Sequence, residues 1–481
     1  MSRCDRIALV ICFGVLLVSI FVAFSVYDSI PHIEDEMAFV WQSRLLVRGQ
    51  ISIPPPQPNP ASFIVPFVVD FQGHRFGKYP VGWPIILAFG EWLHIRSFVN
   101  PLITSLAFWF IYRLIKKVVD EKTALLAIAL GSVSPYVLVN AGSLLSHPWS
   151  LLLTVIFATS WLDAFSVENS ALPVRLSRWL PAITAAMALG LLILTRPWTA
   201  VAISIPFAFH ALFLIFRKPK LDIQIRLGSF CVIAGGISSL YFVWQFAVTG
   251  SFFTNPYTLW WPYDQIGFGP GIGLQPGGYQ PIFAKANTLF SLFSANTDLY
   301  GWPTISWIFL PFGCIALIRN LRAWIISFSL VSLVAAYALY WTHPQVYGPR
   351  YYFEALPAAL MLTAAGIRWL AGHFTGQNKV LSWNMAGKTR FVITTSIVLA
   401  LITGNLVYYL PARLRGISEL SGISQKCINP LKEFSAARTA PILFFIHVQK
   451  NFHEYSCAVD LSSPFGDSKN LIAISRGKEI D

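Results

Sequence analysis

The chain has 481 residues, of which 55% are hydrophobic and only 12% charged, and its net charge is +13. A soluble domain carries roughly 25% charged residues, so the composition excludes an ordinary soluble protein and implies a membrane protein of many helices. The basic excess would suit nucleic acid only if it were gathered into a patch, and it is not.

MSRCDR followed by a long apolar run opens the chain. The run exceeds a secretory h-region and reads as an uncleaved signal anchor. Spanning helices are expected at 8–26, 98–116, 123–141, 147–165, 179–195, 198–216, 228–248, 303–318, 323–341, 354–371 and 391–410, about 11 in all. With the N-terminus inside, the inner loops hold 18 basic residues against 5 acidic ones, while the outer segments hold 17 against 16. The basic excess is therefore a topology signal and not a nucleic-acid footprint. It places the N-terminus in the cytoplasm and the C-terminus outside.

Three outer segments are long: 27–97, 249–302 and 411–481. The first holds IPHIEDEMAFVWQSRLLVRGQ (30–50), an amphipathic run headed by three carboxylates, then the proline-rich turn 54–60 and FQGHRFGKYPVGWP (71–84). ILAFGEWLH is too short to span and is expected at the interface, with Trp83 and Trp92 at headgroup level. The second, NPYTLWWPYDQIGFGPGIGLQPGGY (255–279), is glycine-rich, but no strand precedes it and no Gly-Lys-Ser/Thr follows, so it is not a nucleotide loop. Trp260, Trp261, Trp302 and Trp341 read as an aromatic belt. The tail from 411 loses the spanning pattern, and ILFFIHV (442–448) and LIAISR (471–476) read as strands of a small external α/β domain. The domain division is thus 1–410 and 411–481. Of six cysteines none is spaced as a metal site; Cys427 and Cys457 share the tail and form either a disulfide or two unrelated thiols.

Candidate chemistry clusters on the outer face. Asp35, between Glu34 and Glu36, could take a hydroxyl proton as general base, with Glu36 sharing the catalysis; equally, acidic residues suit a helix N-terminus. Lys78 and Tyr79 in GKYP suit a phosphate oxygen, or a snorkelling lysine. His147 in SHPW could bind substrate or sit as an interfacial histidine. Arg196 in LTRPW needs a partner at a helix end. Arg350, flanked by Tyr347, Tyr351 and Tyr352, could hold phosphate bidentately, or pair with Glu354 at i, i+4. Asp264 in the glycine-rich loop and Tyr347 are further substrate-binding candidates.

PHIEDE, GKYPVGWP, SHPW, LTRPW, the NPY…D.IGFG loop and YGPRYYFEALP, in this order and all on the outer face, resemble the polyprenyl-phosphate-dependent glycosyltransferases of the GT-C fold. The likeness is to the bacterial branch related to protein O-mannosyltransferases and the lipid A aminoarabinose transferase, and it covers the chain to about residue 415. The resemblance implies an all-α polytopic membrane protein of GT-C type, with the tail as a small extracytoplasmic α/β domain. It implies a polyprenyl-phosphate sugar donor, an external glycan, lipid or protein acceptor, a site at the outer face of a bacterial plasma membrane, and reaction with inversion. Asp35 matches the base, and Lys78 and Arg350 match the contacts to the carrier phosphate. Tyr79, Arg196 and Tyr351 belong with the phosphate set, and Glu34, His147, Asp264 and Tyr347 with the substrate. Two departures stand: Ser146-His147 where many relatives have a second aspartate, and Lys78-Tyr79-Pro80 in place of Lys-Pro-Pro. No cofactor is demanded; a divalent metal is compatible with the acidic cluster but not implied. The rival class is a transporter or lipid flippase, which needs charges near the bilayer midplane. The expected spans are nearly devoid of acids, with Asp163 at an end.

Overall fold

The computed structural model describes residues 1–57, 59–165, 175–217, 221–344, 346–373, 387–447, 458 and 460–475, the side chains of 175–178 and 387 excepted. From the N-terminus, α1 (Arg3–Ser25) leads to α2 (Glu34–Val47), to an antiparallel hairpin of β1 (Val68–Phe71) and β2 (His74–Gly77), and to α3 (Gly82–Trp92). Next come α4 (Val99–Val118), α5 (Glu121–Ser132), α6 (Pro135–Gly142), α7 (His147–Phe165), α8 (Arg175–Thr195), α9 (Pro197–Phe216) and α10 (Leu221–Thr249). A second excursion holds α11 (Pro256–Trp260) and α12 (Pro281–Asp298). The chain returns through α13 (Leu310–Ala316), α14 (Leu321–Ala338), α15 (Leu356–Leu370) and α16 (Gly387–Gly404). The tail carries α17 (Leu410–Ser418), α18 (Gln425–Ala436) and two parallel strands, β3 (Ile442–Ile446) and β4 (Asn470–Ile474).

Among the described residues, eight helices are long and apolar enough to cross a membrane, or nine if the bent pair α5–α6 is one span; Trp179–Thr195 is a shorter apolar helix. The bend of 65° falls where 123–141 was expected to run straight. Its cause is local: Pro135 disfavours helical backbone at Ser134, and Ser134 instead caps α6, accepting the Val137 N–H at 3.3 Å. The expected span at 303–318 shrinks to the seven residues of α13. This helix lies so close to α15 that a Cβ at Gly313 or Gly366 would strike the other helix's backbone. The expected external helix becomes α2; β3 falls within its expected segment, and β4 starts one residue before its own. The hairpin and α12 had no counterpart in the sequence reading.

The main apolar cluster runs through the bundle, with Tyr112, Leu114, Val155, Leu333, Leu360 and Met361 inaccessible to solvent. α1 packs against α4, α5 and α6. Ion pairs Lys116–Asp5 (2.6 Å) and Arg368–Asp120 (2.5 Å) hold one end of the bundle. The opposite end carries α2, the hairpin and the chain before α15. The tail docks there on the first excursion: Trp41 and Leu45 of α2 share a buried cluster with Ile472 and Ile474, and Asp460 pairs with Arg44 (2.7 Å) and Arg96 (2.9 Å). Cys427 is disulfide-bonded, and Cys457, its expected partner, lies outside the described residues.

Trp83 is not at headgroup level. It is fully buried and donates its ring N–H to the Leu144 carbonyl at 2.9 Å, whereas Trp92 is 64% exposed. Trp302 and Trp341 are likewise buried, so the expected belt is partly core.

Candidate active site

The acidic motif is split by helical geometry. Successive residues of a helix lie 100° apart, so Glu36 faces inward and Asp35 does not. Glu36 Oε2 accepts the N–H groups of His32 (2.7 Å) and Ile33 (3.3 Å) and the Tyr347 hydroxyl (3.2 Å), and Oε1 accepts the Leu144 N–H (2.7 Å). That carboxylate is 1% exposed and its bonding capacity is taken by the fold. Glu36, expected to share the catalysis, is thus a buried tie between α2, the start of α7 and the strand of chain leading to Arg350. Burial raises its carboxyl above the usual value, against the N–H groups of His32, Leu144 and Ile33.

Asp35 points the other way, with its side chain 24% exposed. Its Oδ1 accepts the Tyr79 hydroxyl, and its Oδ2 lies 3.1 Å from Nη2 of Arg350. Burial pushes the carboxyl up, but the Arg350 charge, the Tyr79 hydroxyl and the charges of Lys78 and Arg196 outweigh it, leaving it below the usual carboxylate range. Asp35 is therefore an anion at neutral pH. Arg350 stands at the head of a 3-10 turn, Arg350–Ala355, and its Nη1 is buried with no hydrogen-bond partner. A guanidinium nitrogen left so is a place for an anionic oxygen.

Lys78 follows β2 and is 3% exposed, so it does not snorkel. Its ammonium sits among the rings of Phe67 (3.8 Å), Trp261 (4.7 Å), Tyr257 (5.2 Å) and Tyr79 (5.3 Å). Among the described residues its hydrogen-bonding oxygen is Oδ2 of Asp264, at 3.5 Å, long for a charge-assisted bond. Burial lowers its pKa, against the upward pull of Asp264, Asp35 and Glu34. Asp264 is itself held by the Tyr340 hydroxyl (2.7 Å) and the Trp341 ring N–H (3.0 Å). It is 4% exposed, and its carboxylate serves the lysine and the loop.

Arg196 ends α8 and heads α9. Its Nη1 reaches Nε2 of His147 (3.3 Å) and Ser146 (3.4 Å), its Nη2 the Tyr337 hydroxyl (3.1 Å) and its Nε Thr199 (3.2 Å). Beside it lies Glu354, which the sequence offered only as an i, i+4 partner of Arg350; it is inaccessible to solvent, with Oε1 3.4 Å from Nε. Most of the donors of Arg196 are committed to protein, unlike those of Arg350. Tyr351 stacks on Tyr337 (4.7 Å, 16°) and bridges the two arginines' surroundings. Tyr347 is fully buried, bonded to Glu36 and through its carbonyl to Asn140 (3.1 Å), and so builds the site without facing it. Glu34 lies half-exposed at the first turn of α2. Among the described residues no group of three or more His, Cys, Asp or Glu is arranged to hold a metal.

The structure thus joins Asp35, Tyr79 and Arg350 in one hydrogen-bonded set, Lys78 with Asp264, and Arg196 with His147. It does not bring Arg350 to Glu354. No family model matches the chain, and no curated protein matches it by sequence. Solved structures do match. ArnT from Cupriavidus metallidurans bound to undecaprenyl phosphate superposes with a TM-score of 0.60 at 12% identity, over 98% of this chain and 86% of that one. The oligosaccharyltransferase of Archaeoglobus fulgidus gives 0.52 at 12% identity, over 96% of this chain and 64% of that one. Its complex with an inhibitory peptide and a dolichol-phosphate gives 0.52 at 11%, over 95% and 64%.

The chain has the GT-C fold. It is an integral membrane protein, mostly helical, with few strands. This is the architecture expected from the motif order. At such identities the likeness is one of fold, and the residues above must carry the chemistry.

Proposed function

We propose that this protein is a glycosyltransferase that moves a sugar from a polyprenyl-phosphate donor to an external acceptor, a glycan, lipid or protein, at the outer face of a bacterial plasma membrane. The cytoplasmic N-terminus and external C-terminus follow from the loop charges. The observation that carries the reading is the fork of Arg350: Nη2 holds Asp35 at 3.1 Å, while the buried Nη1 has no partner. One guanidinium can then join the base to the phosphate that leaves. The two solved structures that share the fold and bind polyprenyl phosphates, undecaprenyl phosphate in ArnT and a dolichol-phosphate in the archaeal enzyme, support the donor class.

In this account the bond between the anomeric carbon and the phosphate oxygen breaks, and the acceptor oxygen attacks from the opposite face. The acceptor proton passes to Asp35. The phosphate gains one negative charge as it leaves, and Arg350 and Lys78 stabilise that charge in a site with little water, where fixed donors act most strongly. Lys78 is suited to this because its ammonium has rings on several sides and holds Asp264 only at 3.5 Å. Arg196, its donors already engaged, acts as a fixed positive charge near Asp35, and Tyr79 orients Asp35. Tyr351 walls the phosphate side, Glu34 lines the approach, and His147, itself buried, supports Arg196 from beneath.

Incubation of the purified protein with a panel of synthetic polyprenyl-phosphate sugars tests the reading. The expected result is release of free polyprenyl phosphate with transfer or hydrolysis of one sugar class. Release from no donor, in a folded sample that binds none of them, overturns it.

A further inference from the structure

Glu354 lies four residues after Arg350 on the same 3-10 turn, yet the two do not meet. Its Oε1 accepts the Ser150 hydroxyl at 2.6 Å and lies 3.4 Å from Arg196 Nε and 3.6 Å from His147 Nδ1. The partners come from three elements: Ser150 and His147 from α7, and Arg196 from the junction of α8 and α9. The network fixes a tautomer. Arginine can only donate, so Nε2 of His147 must accept from Arg196, and the ring proton sits on Nδ1, toward Glu354. Arg196, His147, Glu354 and Ser150 therefore close a ring of polar groups under the site. A carboxylate buried to this degree is costly unless charge and hydrogen bonds compensate it. The Ser150 hydroxyl donates to Oε1 and the Arg196 guanidinium supplies the balancing charge, while Nδ1 of His147 stops short of a hydrogen bond and Oε2 has no partner among the described residues.

We infer that Glu354 is a positioning residue, holding Arg196 directly and Arg350 through their shared turn, so that both guanidinium groups keep their places around Asp35. The turn is tied at both ends. At its head Arg350 reaches Asp35; at its foot Glu354 reaches α7 and Arg196, with Phe353 and Ala355 buried between. Loss of the foot lets the head shift, and displacement by about 1 Å at a reacting centre can cost on the order of 100-fold in rate.

The inference rests on the transferase reading, and the test separates the two. Sugar transfer is measured with the full-length protein for wild type, Glu354→Gln, Arg196→Gln and the double variant, with thermal unfolding of each. Glu354→Gln should lower kcat/KM by about 10- to 100-fold, and the double variant should lose less than the product of the two single losses, because the Arg196 arm of the effect is already gone. Should Glu354→Gln fail to fold, Ser150→Ala, which removes only the hydroxyl donor, carries the test and should lower kcat several-fold at unchanged unfolding temperature. Wild-type kcat/KM in Glu354→Gln, losses that multiply in the double variant, or full activity in Ser150→Ala overturns the positioning role. A wild type that is inactive on every donor overturns the transferase reading and this inference with it.

Discussion

Nη2 of Arg350 lies 3.1 Å from Oδ2 of Asp35, across 315 residues of sequence. The contact joins the first long excursion of the chain to the turn before α15, and neither element would hold its charge in place alone. Asp35 needs the arginine to remain an anion while partly buried; Arg350 needs the carboxylate to be tolerated in a buried place. Its second nitrogen is left over for substrate. Replacing Arg350 by Lys keeps one charge and loses the fork. Arg350→Lys should lower kcat/KM by about 100-fold or more, in line with loss of one fixed donor to a developing negative charge. A steady-state assay with saturating acceptor checks this.

Glu36 and Asp35 are neighbours in sequence and should differ in phenotype. Removing the Glu36 carboxylate strands the N–H groups of His32, Ile33 and Leu144, each costing about 1–3 kcal/mol when buried and unpaired. Glu36→Ala should lower the unfolding temperature sharply or prevent recovery of folded protein. Asp35→Ala, which strands no backbone N–H, should lower it less and still yield folded protein. Thermal unfolding in detergent distinguishes the two.

Lys78 sets the alkaline side of the pH profile. Burial lowers its pKa, so it loses its charge at a lower pH than an ordinary lysine, and donor KM should rise as pH climbs through that lowered value. Asp264, Asp35 and Glu34 oppose the shift, and Asp264 is the largest of these influences. Asp264→Asn should therefore move the rise in KM to lower pH. Donor KM measured from about pH 6 to about pH 10, a range that brackets a lowered lysine, reads both.

Asp460 ties the tail to Arg44 of α2 and to Arg96, beside the apolar contact of Trp41 and Leu45 with β4. Burial pushes Asp460 up, but the charges of Arg96 and Arg44 outweigh it and hold it well below the usual range. A folded-state pKa below the unfolded one stabilises above the unfolded value and is lost as pH falls below about 4. The tail should therefore become protease-sensitive on acidification below about pH 4. Asp460→Ala, which leaves Arg96 without one of its two carboxylate partners, should make it so at neutral pH. Limited proteolysis with mass analysis of the fragments checks both.

Much of this architecture was legible beforehand, because long apolar runs and the loop charges report directly on spanning helices. Motif order singled out Asp35, Lys78 and Arg350, and the structure brings Asp35 and Arg350 into contact. The pairing of charges was not legible. An Arg350–Glu354 pair presumes α-helical backbone, and in a 3-10 turn residues i and i+3, not i+4, share a face. Glu354 instead reaches Arg196 and Ser150, which no spacing rule connects to it. The aromatic cage of Lys78 draws Phe67, Tyr257 and Trp261 from two excursions, so only tertiary structure assembles it. Tyr337, Tyr340 and Trp341, at the end of α14, gave the one available hint: aromatics three and four apart at the end of an apolar helix. Trp83 was misplaced because a tryptophan near a membrane boundary suits a headgroup or a buried hydrogen bond equally well.

The most direct test of the account is sugar transfer by Asp35→Asn, measured beside its unfolding temperature. The side chain keeps its size, still accepts from Tyr79 and cannot take a proton as the carboxylate does. The account predicts turnover reduced by at least about 100-fold, the upper part of what a positioned base contributes being roughly 10⁴-fold, at an unfolding temperature close to that of the wild type. Turnover near the wild-type rate in a folded Asp35→Asn protein would contradict it.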